Sequence, residues 1–270
     1  MVPQLRLLDH CDQSIRSMGA IAADYLTHLL LYSNLPARWR WAQIPRIAAR
    51  LALEDDNNQE DYAHYVKTLC SRAAWELRHL QFNIVISEKI CAPADDPEAA
   101  YRCNLLAAAA YTNKCAIIEE LADGASDLEI TQDLFGYPHV CAAVRGNDAA
   151  LDVLCDKFKA DESSIVSLVC QQGAPTRIVA RFIPPKQAIP SISIDASMSS
   201  TQWVPDDIVL HTANLETFQM FMRAYPSKTH DKIFLKYVLI HATMNGKEDL
   251  VRHAFGLGAT LHAPPWPDCK

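Results

Sequence analysis

The chain has 270 residues, half of them hydrophobic and about a fifth charged, with only 8 glycines, the makeup of a packed globular protein and not of a disordered or fibrous one. Its 25 Lys and Arg against 32 Asp and Glu give a net charge of -7 with no basic run, which argues against nucleic acid as a partner. The apolar stretch from Tyr25 to Tyr32 falls short of the roughly 20 residues a bilayer needs, and Arg6, Asp9, Asp12, Arg16 and Asp24 break any signal-peptide pattern, so no membrane association is expected and the chain reads as cytoplasmic, with the nucleus left open.

From the N-terminus, Ile15, Met18, Ile21, Ala22, Tyr25, Leu26 and Leu29 recur at three- and four-residue spacing, which predicts an amphipathic helix. Ile44 to Leu53 predicts a second, with Pro45 in its first turn, and Tyr62, Tyr65, Val66, Leu69, Ala73, Leu77 and Leu80 predict a longer third. Trp39-Arg40-Trp41 reads as a packing corner. The run Asp55 to Asp61 reads as a solvated acidic loop, because it lacks the glycine and closing Glu of a helix-loop-helix calcium site. Residues 1 to 100 show no repeat and are expected to form a helical cap.

Beyond them a short pattern recurs. In Pro138-His139-Val140-Cys141-Ala142-Ala143-Val144-Arg145-Gly146-Asn147, proline suits the first turn of a helix, paired alanines allow close stacking, and glycine suits the turn that follows. A second apolar helix is predicted over Ala149 to Phe158. The same skeleton runs from Asn104 to Ala125, from Ile165 to Ile183, from Pro205 to Tyr225, and from Leu239 to Ala259. The predicted turns at 112, 146, 173, 213 and 246 are separated by steps of 34, 27, 40 and 33 residues.

Period and skeleton together resemble the ankyrin repeat, a unit of about 33 residues made of a turn and two helices with a T-P-L-H-x-A signature. Tyr137-Pro138 followed by Ala142-Ala143 and Gly146 is the best match, similar to the divergent ankyrin proteins common in filamentous fungi. His139 stands where the family usually has Leu, and Val140 where it usually has the His that hydrogen-bonds along the loops, so stability must lean on packing. The resemblance implies an all-α, ankyrin-like solenoid of stacked helix pairs over residues 101-270, behind the cap of residues 1-100. A segment near 184-204 stands outside the pattern. There Ile192, Ile194 and Ala196 alternate with polar residues, as in a short strand or a loop.

Chemistry is sparse. His211 with Asp206 and Asp207 shares a helix face, but two acidic residues at a helix start are explained by the helix dipole. His241 and His253, with Cys141 or Cys155, lack metal-ligand spacing, and the nine cysteines form no CxxC pair and read as buried free thiols. No nucleotide, zinc or esterase motif is present, so no cofactor is expected and an enzyme is the less favoured class.

The expectation is therefore a module that binds another protein on a concave repeat surface, a small-molecule ligand staying open. The alternative is an enzyme or small-molecule-handling protein of secondary metabolism on the same scaffold. The resemblance implies that the pair before each turn faces the groove: Ala110-Tyr111, Val144-Arg145, Gln171-Gln172, His211-Thr212 and Met244-Asn245. Tyr111 and Arg145 are the types most common at binding hot spots.

Overall fold

A computed structural model describes residues 15–32, 40–55, 59–79, 96–123, 134–158, 162–182, 212–224, 229–244 and 246–260. Every regular element among them is helical. In chain order they are α1 (Ile15–Tyr32), α2 (Gln43–Ala52), α3 (Gln59–His79), α4 (Pro97–Thr112), α5 (Cys115–Asp123), α6 (Pro138–Arg145), α7 (Asp148–Lys157), α8 (Glu162–Gln171), α9 (Thr176–Val179), α10 (Leu215–Ala224), α11 (Lys232–Met244) and α12 (Glu248–Gly256). Single 3-10 turns precede α2 and follow α2 and α9. None of the described helices is long and apolar enough to cross a membrane. The 184-204 segment and its expected strand lie outside the described residues.

The described residues fall into two compact units, one drawn from 1–142 and 149–158, the other from 143–148 and 159–270. In the first, α1 and α2 pack against α3, and α2 also packs against α4. The predicted periodicities set these faces: Ile44, Ile47, Ala48 and Leu51 of α2 and Val66, Leu69, Cys70 and Ala73 of α3 are fully buried. Asp96 caps α4, accepting from the Glu98 and Ala99 N–H groups at 3.0 Å, ahead of Pro97 in the first turn. Along α4, Ala107 to Ala110 are buried, and their small side chains let α2 and α5 approach it closely.

A single backbone device ends the first helix of several pairs. Asn113, Gly173 and Gly246 are left-handed, at φ 59°, 74° and 62°. At each, that residue's N–H and the next one's return to carbonyls three and five residues earlier: Asn113 to Ala110 and Lys114 to Ala109, Gly173 to Cys170 and Ala174 to Val169, Gly246 to Thr243 and Lys247 to Ala242. This is the Schellman arrangement. Gly146, at φ 71°, makes the shorter of the two bonds, to Ala143, and Gly258 repeats both after α12. A new helix starts two or three residues beyond each of Asn113, Gly146, Gly173 and Gly246.

Successive pairs are tied to each other. In the first unit the Ala150 N–H donates to Asn113 Oδ1 at 3.3 Å. In the second, Arg177 donates to the Gly146 carbonyl at 2.9 Å and pairs with Asp148. The Ala213 N–H donates to the Cys170 carbonyl at 3.1 Å, and the Thr176 and Thr217 hydroxyls meet at 2.9 Å. Phe218 packs edge-on to His253 with ring centroids 5.9 Å apart.

Candidate functional site

The observed turns place two of the five expected contact pairs, and one residue of a third, at one register. Val144 and Arg145, Gln171 and Gln172, and Met244 are the last residues before a left-handed glycine, and each is partly or well exposed, Met244 at 66%. Immediately before them the chain faces inward, with Ala142, Ala143, Val169, Cys170 and Ala242 buried. An α-helix advances about 100° per residue, so residues three and four apart share a face while the last two turn away from it. In the first copy the left-handed residue is Asn113 and not position 112, which makes the step to Gly146 33 residues. The equivalent pair is therefore Tyr111-Thr112, and Ala110, fully buried, belongs to the core. The 213 copy also differs: Asn214 caps α10 by accepting from the Glu216 and Thr217 N–H groups at 2.8 and 3.4 Å. His211 and Asn245 lie outside the described residues, as do Asp206 and Asp207.

Tyr111 is bound to a feature that periodicity hides. Arg72 and Glu76 of α3 are 2% and 4% exposed and form a buried ion pair. Arg72 Nε also donates to the Phe135 carbonyl at 3.0 Å, and its guanidinium lies 5.0 Å from the Trp75 ring centroid and 5.7 Å from that of Tyr111. The Cys141 thiol donates to the same carbonyl at 3.1 Å. Burial alone would pull the guanidinium's pKa down, but the net direction is upward, and at neutral pH the Glu76 carboxylate beside it favours the charged form. Arg72 thus anchors the loop that leads into α6. The signal in the sequence was spacing: Tyr65, Leu69, Arg72, Ala73 and Glu76 form one stripe at three- and four-residue intervals.

A second anchor joins the acidic run to the first turn. Lys114 Nζ lies 2.5 Å from Asp55 Oδ1, and the Tyr65 hydroxyl donates to the other carboxylate oxygen. The Lys114 and Tyr65 hydrogen bonds hold the Asp55 carboxyl below the usual carboxylate range. Residues 56–58 lie outside the described residues.

Three of the described thiols are poorly suited to nucleophilic chemistry. Burial pushes Cys70 and Cys141 up to about 11 and Cys170 up to about 12, so each stays protonated at neutral pH. Cys103 is buried, Cys115 half-buried and Cys155 exposed, which departs from the expectation of burial at that position. His253 spends its ring on Phe218. Among the described residues no three His, Cys, Asp or Glu side chains gather closely enough to hold a metal ion.

No family model matches the chain, and no curated protein and no solved structure matches it either.

Proposed function

We propose that this chain is an ankyrin-type repeat protein whose stacked helix pairs hold a protein partner on the residues that precede each left-handed turn. The carrying observation is the recurrence of a left-handed turn at Asn113, Gly146, Gly173 and Gly246, preceded by partly or well exposed residues and, before them, by buried small or apolar ones: Ala109-Ala110, Ala142-Ala143, Val169-Cys170 and Ala242. The ties between successive pairs support it, since repeat architectures are held by nearest-neighbour contacts. The variation also fits: Tyr-Thr, Val-Arg and Gln-Gln occupy one structural position, whereas the inward positions stay small or apolar.

Arg145 and Met244 carry the test, because Tyr111 also supports the Arg72 cluster. Arg145→Glu with Met244→Asp is expected to abolish capture of the partner from its native cell extract while leaving the melting temperature nearly unchanged, as exposed positions usually allow. Retention of capture by the folded double variant would move the site off this face, with the 184-204 segment next to be examined.

A further inference from the structure

We propose that His139 makes the α6–α7 helix pair acid-labile, a proton-operated latch within that pair. His139 is the second residue of α6 and is 2% exposed. The backbone groups that act on its ring are those of Leu154 and Phe158, at the end of α7. Its Nε2 is buried and has no hydrogen-bond partner. In a neutral ring with its proton on Nδ1, the buried Nε2 carries no proton that needs an acceptor. A second proton, on Nε2, would put a charge and an unanswered donor into a buried site.

The surrounding charges offer no relief. Arg145 of α6 and Asp152, Asp156 and Lys157 of α7 are exposed, and Lys157 lies 3.4 Å from Asp123. Asp148, at the start of α7, pairs with Arg177 and Arg181. Arg72 and Glu76 of α3 pair with each other, and Arg72 also holds the Phe135 carbonyl. Burial accordingly pushes the imidazole below its ordinary value of 6.5, against a smaller upward pull from Leu154 and Phe158. The folded ring holds its proton less readily than the unfolded one. The stability it contributes is present above the ordinary value and is lost as pH falls through the folded one. Val144 and Arg145 end the same helix, so acid should also weaken partner capture; that consequence rests on the binding proposal, whereas the latch does not.

The test compares urea midpoints of the full chain and of His139→Leu at about pH 7.5 and about pH 5.5, on either side of the ordinary imidazole value. The wild type is expected to lose more of its midpoint on acidification than the variant, and equal losses overturn the latch. Should the variant fail to fold, ring-nitrogen NMR of the wild type decides: protonation only below the ordinary range, accompanied by loss of the folded signals, supports the latch, and titration at the ordinary value in a folded chain overturns it. Capture lost equally in both proteins at low pH, with the urea difference intact, would overturn the consequence for binding and leave the latch standing.

Discussion

Gly246 and Gly136 share a left-handed backbone but differ in what surrounds them. At Gly246, φ 62°, a Cβ would meet nothing within 4 Å, so the penalty for a side chain comes from the backbone alone. Gly246→Val is expected to cost roughly 1–2 kcal/mol, and Gly246→Asn much less, because Asn tolerates this conformation. At Gly136, φ 79°, the same Cβ would run into the Glu76 carboxylate, 2.8 Å from Cδ, and come within 3.2 Å of Arg72 Nη2. Gly136→Ala should therefore destabilise more than Gly246→Ala in urea titrations; equal losses would mean that the Arg72–Glu76 pair yields easily. The ion pair has its own test. Arg72→Met leaves a buried carboxylate without its partner and should cost about 3–5 kcal/mol, whereas Arg72→Met with Glu76→Leu should recover most of that loss, since apolar replacements of buried pairs are often tolerated. Absence of recovery would show that the bond from Arg72 to Phe135 outweighs the pair itself.

The helices owe their limits to local chemistry more than to propensity. Asp96 ahead of Pro97, Asn214 ahead of Leu215 and Asp231 ahead of Lys232 each accept from backbone N–H groups in the first turn, satisfying donors that have no intrahelical acceptor. Asp96→Ala is expected to lower stability by about 1 kcal/mol and Asp96→Ser by much less, which a urea titration resolves. An unchanged midpoint for the alanine variant would mean that packing of Tyr101 to Ala110 alone holds the start of α4. At the other ends, the paired return bonds at Asn113, Gly173, Gly246 and Gly258 stop each helix at a set residue. The short α9 passes into a 3-10 turn over Ala180–Phe182, shortly before Pro184 and Pro185, in keeping with the barrier proline sets to a continuing helix.

Across the first unit, α1 to α3 contribute both apolar surface and polar anchors. They bury the Val66, Leu69, Cys70 and Ala73 face, and they supply Asp55 to the turn at Lys114 and Arg72 to the loop before α6. Deleting residues 1 to 60 should bare that apolar face and remove Asp55 together, so the remaining fragment is expected to self-associate in light-scattering measurements. A monomeric fragment with unchanged melting would overturn the reading of this region as a cap.

The sequence by itself determined the helices and most of the turns. Apolar periodicity placed α1 to α3, and glycine at 146, 173 and 246 marked the positions where positive φ is needed, because both signals act within a few residues along the chain. Asn113 escaped by one residue, since Asn adopts that conformation less distinctively than Gly does. Only the tertiary structure decided that Arg72 and Glu76 turn inward and that His139 loses its water. Charged and polar side chains default to solvent unless a partner waits inside. Here the partner for Arg72 is the carbonyl of Phe135, 63 residues away, and the backbone groups that act on His139 lie at the far end of the next helix. Such distances carry no periodic signature, so these buried polar groups follow from how the helices meet.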